Sequence, residues 1–536
     1  MTLSSLIFSE YRLATYVIAL VMGWVVALLL TPMVRRAGVK LGFVDKPNAR
    51  KLQLNPIALG GGIAVLGATF AAVAVAFLFA DVALTVTFFD SDARLLAGLA
   101  FATVATLVLG IYDDARDMRG LYKLIAQIAI ASVLVYLGLN IPVIALFGQD
   151  VELGWLSVPL SIFWLVGSTN AINLLDGIDG LASGIGLVLC LTLAAINAYF
   201  GQFPEAVVTL AMAGALFGFL RYNFAPATIY LGDAGSMVIG LVIGAIALQT
   251  NLKTPAFVAM VVPLAVWAVP ILDSGAAIVR RRLTGRSIFA PDRGHLHHAL
   301  LTRGWTVPQA SMFITLICAV TCLSAVLGVI WQNELIVVVT VVVVVAFLIS
   351  SRTFGHVEYE LLRARLRQSG LSFRSNDGSG DGRQHGAVRL QGSHEWEVLW
   401  NSIVEAAPSY GLTKLQLTIH MPRVHEAFYA SWKAPKTAKP IADTTWRVTH
   451  PLTFDGEVVG KLDITGLVDD HERSTLSQIA HVLDFLEPIE DEVREVKRSL
   501  LLSRAPKKND APIIHSPSIE TKTLEPQPLT TSLAAH

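Results

Sequence analysis

The sequence predicts an all-α polytopic membrane protein of about eleven transmembrane helices, followed by a small C-terminal cytoplasmic α+β domain. Three observations lead there. Of 536 residues, 54% are hydrophobic and only 15% charged, whereas soluble proteins carry roughly a quarter charged residues. The long apolar runs fall almost entirely within the first 350 residues. After Ser350 the composition turns abruptly polar.

A helix needs about 20 apolar residues to cross a bilayer. Such runs lie near 14–31, 57–80, 94–111, 123–141, 157–174, 181–199, 205–220, 235–250, 256–279, 311–331 and 334–350. The first has no small-residue cleavage site after it and reads as a retained span. Basic residues set the orientation. One alternate set of loops holds Arg35, Arg36, Lys40, Lys46, Arg50, Lys51, Arg116, Arg119, Arg221, Arg280–Arg282, Arg286, Arg293 and Arg303. The other holds little beyond Arg12, Arg94 and Lys253. The first set is expected in the cytoplasm, with the N-terminus outside and the C-terminal region inside. Lys+Arg and Asp+Glu number 41 each, so no basic excess points to nucleic acid. Cys190, Cys318 and Cys322 all sit in apolar runs and read as small buried hydrophobes.

Four segments follow from the composition. Residues 1–350 form the polytopic membrane part, and 351–392 an amphipathic stretch and Gly-rich linker. Residues 393–500 form a small soluble α+β domain that suits regulation, and 501–536 a disordered tail. Within the soluble domain a helix (394–407), four strands (412–420, 427–433, 445–454, 457–465) and a last helix (471–498) are expected. Its histidines, His420, His425 and His450, show no metal spacing and read as ordinary ones.

Ionisable residues inside or at the edge of a membrane are expensive, which makes them functional candidates. They cluster here. Asp113-Asp114 are adjacent carboxylates at a helix end, followed by Lys123 and Gln127; such a pair suits Mg²⁺ or proton binding, and the plain alternative is a solvated, helix-capping loop. Asn170, Asn173, Asp176 and Asp179 repeat every three residues, which on a helix makes one polar stripe facing a hydrated cavity or ligand. Asn223 opens the stretch NFAPATIYLGDAGS, where Asp233 sits between glycines at an expected helix start. There it could serve a metal–phosphate assembly or act as a simple N-cap. A later loop runs from Asp273 through Arg280-Arg281-Arg282 to Asp292-Arg293-Gly294-His295-Leu296-His297-His298. Arg282 can anchor the membrane edge or hold an anion; three imidazoles within four residues can bind diphosphate or shuttle a proton. Arg50 and Lys51, after the first span, read as a phosphate clamp or as a lipid-attracted basic stretch. Carboxylates, basic groups and apolar walls together suit diphosphate chemistry on a lipid acceptor.

In this order, DD, NxxNxxDGxDG, NxxPAxxxxGDxGS and DRGHLHH resemble the motifs of the polyprenyl-phosphate N-acetylhexosamine-1-phosphate transferase family, glycosyltransferase family 4. The likeness covers roughly residues 10–350. It implies transfer of N-acetylhexosamine-1-phosphate from a UDP-N-acetylhexosamine to a polyprenyl (undecaprenyl) phosphate, with release of UMP, in a bacterial inner membrane. It implies Mg²⁺ (or Mn²⁺) as cofactor, with Asp233 as principal ligand and Asp113 and Asp176 beside it. Asp113, Asp114, Asp233, His295, His297 and His298 are the implied catalytic residues. Lys123, Asn170, Asn173, Asp176, Asp179, Asn223, Arg282, Asp292, Arg50 and Lys51 are the implied substrate-binding ones. The DRGHLHH form resembles the branch that starts cell-envelope polysaccharides from UDP-N-acetylglucosamine, rather than the phospho-N-acetylmuramoyl-pentapeptide transferases. Membrane lipid is an expected partner, and a homodimer is left open. Two departures stand out: Gln53 where the family commonly has His, and Ala58-Leu59-Gly60-Gly61-Gly62 in place of a Pro-Arg-x-Gly-Gly pattern. A transporter and a membrane-anchored sensor are the rivals from other classes; polar clusters gathered at one face speak against the first.

Overall fold

The computed structural model describes residues 3–45, 56–80, 82–146, 149–252, 267–283, 294–351, 353–355, 359, 385–391, 395–421, 426–434, 445–454 and 457–467. The membrane part comprises α1 (Leu3–Leu41), α2 (Gly61–Phe79), α3 (Val82–Arg116), α4 (Gly120–Tyr136), α5 (Ser157–Leu175), α6 (Leu181–Tyr199), α7 (Phe203–Asn223) and α8 (Gly232–Leu252). It continues with α9 (Ala268–Leu283), the short α10 (Leu296–Thr302), α11 (Val307–Ile330) and α12 (Glu334–Ser350). Two small antiparallel ribbons interrupt them: β1 (Val44–Asp45) with β2 (Ile57–Ala58), and β3 (Val143–Leu146) with β4 (Gln149–Glu152).

Among the described residues eight helices are long and apolar enough to cross a membrane, and Gly120–Tyr136 and Glu334–Ser350 are shorter apolar helices. The chain is thus a multi-pass membrane protein. The span expected over 256–279 lies partly outside the described residues; its second half belongs to α9. The segment between the second and third expected spans is not an open loop, since α3 is helical from Val82 and runs 35 residues to Arg116. Apolar side chains are turned outward where lipid would lie, as with Met312, Leu316, Val320 and Leu323 on α11. That pattern is what a bilayer permits and water does not.

The helix α8 is the hub, packing on α2, α3, α5, α6 and α7. Without a hydrophobic force between helices in lipid, close packing depends on small residues at the crossings. The α1–α7 contact shows this: a Cβ at Gly214 would run into the Leu20 carbonyl, and one at Gly23 into the Ala211 carbonyl.

After the membrane part, β5 (His385–Gln391), β6 (Leu412–Met421), β7 (Glu426–Lys433), β8 (Thr445–Phe454) and β9 (Glu457–Leu467) form an antiparallel sheet in the order β5-β7-β6-β9-β8. Its core gathers Leu415, Leu417, Ile419 and Ile464 against Trp396, Trp400 and Ile403 of α13 (Glu395–Ala406). The period of two in Leu415, Leu417 and Ile419 is what puts them on one face. The strand β5 differs from the linker expected there: its residues pair with β7 from His385 to Gln391. Alternation within the seven residues His385–Gln391 is too short a signal beside the Gly-rich stretch before it. The last helix expected, 471–498, lies outside the described residues.

The glycine crossings give a direct test of the helix packing. Gly214→Val is expected to destabilise the detergent-solubilised protein by about 1–3 kcal/mol, the usual cost of overpacking. Gly167→Ala, where an added Cβ meets nothing within 4 Å, is expected to leave the melting temperature unchanged or raised. Equal melting temperatures for both variants would contradict the packing described.

Candidate active site

Four helix ends meet in one place because small residues let them. Gly110, one turn before the aspartate pair, lies so close to α8 that a Cβ there would strike the Ala234 backbone. This brings the end of α3 onto the first turn of α8. Both oxygens of Asp114 then accept backbone N–H groups of α8, from Asp233 at 2.9 Å and from Ala234 at 3.2 Å. The first turn of a helix leaves four such donors without intrahelical partners and carries partial positive charge, so a carboxylate borrowed from another helix is a stable cap. Gly232 makes the turn into α8 with φ +73°, a conformation that a side chain would strain.

Asp113 faces the other way. Its Oδ1 accepts from the Met118 N–H at 2.8 Å, and its Oδ2 lies 2.7 Å from the Lys123 ammonium. The same ammonium lies 2.6 Å from Asp233 Oδ2 and donates to Asn173 Oδ1 at 3.2 Å. Asn173 in turn donates to Asp233 Oδ1 at 2.9 Å and to Ser236 Oγ at 3.0 Å. One cation from α4 therefore ties together α3, α5 and α8. Deeper in, Asn170 donates to Gln127 Oε1 at 2.7 Å, fastening α5 to α4.

The polar stripe of the sequence continues only as far as Asn173 on a helix. The helix α5 ends at Leu175, Asp176 is its C-cap, and Gly180 adopts φ +76° before α6 begins. Asp176 and Asp179 therefore stand in a turn, not on a helical face, because the two Asp-Gly steps break the helix. Burial first, then the charges of Asp233, Asp114 and Asp179, pushes the Asp176 carboxyl well above the usual carboxylate range. Asp176 thus belongs electrostatically to the Asp113–Asp114–Asp233 group. Burial also raises Asp179, whose Oδ2 accepts the Ala227 N–H at 2.9 Å. Asn223 accepts from Ser183 Oγ at 2.9 Å and donates to the Ile229 carbonyl at 3.0 Å. These two side chains shape the loop that leads from α7 to Asp233.

The histidines close one side. His295 is the N-cap residue of α10, and its Nδ1 lies 2.7 Å from Asp273 Oδ2. His297 stacks on His295 at 5.8 Å, with His298 behind it at 4.3 Å. The ring of His297 is buried and rests on Gly177 so tightly that any side chain there would overlap it. Burial and then His298 push its pKa down to about 3, so the geometry gives His297 a packing role beside the Asp176 turn. Arg280 and Arg281 are buried at the end of α9, with Arg280 against Gly294, whereas Arg282 is exposed. Arg50, Lys51 and Asp292 lie outside the described residues.

Sequence reasoning left four contributors off its site: Gln127, Ser236, Asp273 and Tyr230. Asp273, a charge inside an apolar run, was noted at the start of the histidine loop but given no role in the site. The phenol of Tyr230 is pushed up to about 12 by burial and by the charges of Asp179, Asp45 and Asp176. No spacing in the sequence announces it.

Comparison with known proteins identifies the family. Residues 96–251, from α3 to α8, match the family model of glycosyl transferase family 4. The chain is 31% identical over 338 residues to a probable undecaprenyl-phosphate N-acetylglucosaminyl 1-phosphate transferase of Bacillus subtilis, covering 62% of this chain and 91% of that protein. It is 35% identical over 312 residues to a decaprenyl-phosphate N-acetylglucosaminephosphotransferase of Mycolicibacterium smegmatis, covering 53% and 75%. It is 32% identical over 293 residues to an undecaprenyl-phosphate alpha-N-acetylglucosaminyl 1-phosphate transferase of Escherichia coli O157:H7, covering 53% and 76%. With the family model matched from α3 to α8 and a relative 31% identical over 91% of its length, the chain belongs to glycosyl transferase family 4 and is a membrane-embedded phosphosugar transferase.

Proposed function

We propose that this enzyme transfers N-acetylglucosamine-1-phosphate from UDP-N-acetylglucosamine to undecaprenyl phosphate, releasing UMP, as the first step of a cell-envelope polysaccharide. The observation that carries this is the Lys123 ammonium held between Asp113 and Asp233, at the ends of helices whose outer faces are apolar. A phosphate needs the ammonium, and a lipid tail needs the apolar faces. The relatives' names supply the sugar and the acceptor.

Mg²⁺ suits the donor set. Among the described residues no group of three or more His, Cys, Asp or Glu is gathered as a cage. Mg²⁺ commonly takes one or two carboxylates and completes its shell with water and substrate phosphates. Asp233 and Asp113, with Asp176 behind them, offer hard oxygens in a cluster that pairs with the Lys123 ammonium. Bound there, the metal would supply charge neutralisation at the diphosphate.

The chain's own groups then have separable tasks. An oxygen of the lipid phosphate attacks the β-phosphorus of the donor, and the bond from that phosphorus to the bridging oxygen breaks. UMP leaves with the electron pair. Lys123 holds phosphate oxygens, Asn173 keeps Asp233 oriented, and Asp114 fixes the start of α8. Asp114 is held by the start of α8, whereas Asp113 shares the Lys123 ammonium; Asp113 therefore stands beside the phosphate that Lys123 holds and is assigned the proton of the acceptor phosphate. The positive-inside pattern supports a site and a C-terminal domain on the cytoplasmic face.

Purified protein given undecaprenyl phosphate, UDP-N-acetylglucosamine and Mg²⁺ is expected to release UMP. Omission of lipid or chelation of the metal should abolish release, and Asp233→Asn should lower it by on the order of a hundredfold or more. Folded protein that releases no UMP would refute the proposal. His297, neutral at assay pH because its pKa lies near 3, is not expected to shape the pH profile. His297→Gln should therefore lower the rate without removing either limb of the kcat–pH curve. A vanished limb would show that His297 titrates in the reaction.

A further inference from the structure

Asp273 is 1% exposed and stands in the middle of α9, with apolar Ile271 before it and Ala276-Ala277 after it. A carboxylate in such surroundings is costly unless hydrogen bonds and an opposite charge offset the loss of water. Here both oxygens are used, and they reach one short segment. Oδ2 lies 2.7 Å from His295 Nδ1, and Oδ1 accepts the Leu296 N–H at 2.7 Å. Capping the first turn of α10 needs only the second of these bonds. The first goes to a ring.

A carboxylate facing Nδ1 requires that nitrogen to carry hydrogen. The tautomer follows from the geometry, and Nε2 becomes the atom left over. Among the described residues Nε2 has no hydrogen-bond partner. The His297 ring lies parallel to it, at 7° and 5.8 Å, which fixes the ring plane as well as the nitrogen. His297 rests in turn on Gly177, the residue after Asp176. The chain of contacts from Asp273 thus ends at the carboxylate cluster.

We infer that Asp273 is a positioning residue for the transfer reaction: it holds His295 through Nδ1–H, so that Nε2 is the nitrogen turned to the substrate, where as N–H it donates to a phosphate oxygen and as the bare nitrogen it accepts a proton. This rests on the proposed transferase reaction. The arrangement is of the kind in which a carboxylate behind an imidazole fixes its orientation, and loss of such a partner typically costs 10–100-fold in activity, to order of magnitude.

A double-mutant cycle in the full-length protein tests it, with UMP release as the readout. Asp273→Asn is expected to lower kcat by roughly 10–100-fold while KM for UDP-N-acetylglucosamine changes by less than about threefold. In a His295→Ala background the same substitution should have almost no further effect, since the residue it acts through is gone. Losses that multiply would show that Asp273 acts independently of His295 and would overturn the inference; so would a kcat for Asp273→Asn equal to that of the wild type. A second measurement needs neither activity nor a folded Asp273 variant. In ¹⁵N-histidine-labelled wild-type protein, the His295 signals, assigned by their loss in His295→Ala, should show a protonated Nδ1. An unprotonated Nδ1 would overturn the inference. Absence of UMP release from the wild type would instead refute the proposed reaction, leaving the nitrogen spectrum to decide the role of Asp273.

Discussion

Lys123 places one ammonium 2.7 Å from Asp113 and 2.6 Å from Asp233, and the arrangement of the whole site depends on that contact. Two carboxylates from separate helices repel each other strongly in surroundings poor in water. With a cation between them, the ends of α3 and α8 can sit side by side. Asn173 then shares its amide between Lys123 and Asp233, which brings in α5. A substrate phosphate meets a lysine already extended and already desolvated on one side. Less ordering remains to be done on binding.

The second constraint is steric and comes before the first. Helix ends cannot share an ammonium unless their backbones approach closely, and side chains prevent that. Gly110 against Ala234, and Gly62 against Gly235, remove the obstacle at α8. Gly177 does the same for the His297 ring. Glycines in helices are usually a weakness. In a membrane they allow van der Waals contact where no hydrophobic force acts, and here the same contacts set the distances between charged groups.

Much of this was legible in the sequence, for physical reasons that can be named. Apolar runs longer than a bilayer is thick are hard to misread, so α1, α2, α6, α7 and α11 were visible. Asp113, Lys123, Asn173 and Asp233 were visible because charge and amide groups are rare in such runs. What could not be read was partnership. Adjacent aspartates look equivalent, yet Asp114 caps a helix while Asp113 meets the lysine. Equal spacing of Asn170, Asn173, Asp176 and Asp179 suggested one helical face, but the glycines end the helix after Leu175. Two of the three histidines likewise differ only through their neighbours: a carboxylate for His295, a glycine for His297. Burial and partner choice are properties of the fold, and a single chain read in order does not display them.

The most direct measurement of the central claim is the UMP-release rate of Lys123→Met beside that of Lys123→Arg, in protein shown to be monodisperse. Methionine keeps the stem and removes the charge; arginine keeps the charge but spreads it over a planar fork. If Lys123 is the cation that joins the two carboxylates and receives the phosphate, Lys123→Met should lose on the order of a hundredfold or more in kcat, and Lys123→Arg should retain part of the activity. A Lys123→Met enzyme working at close to the wild-type rate would contradict the account.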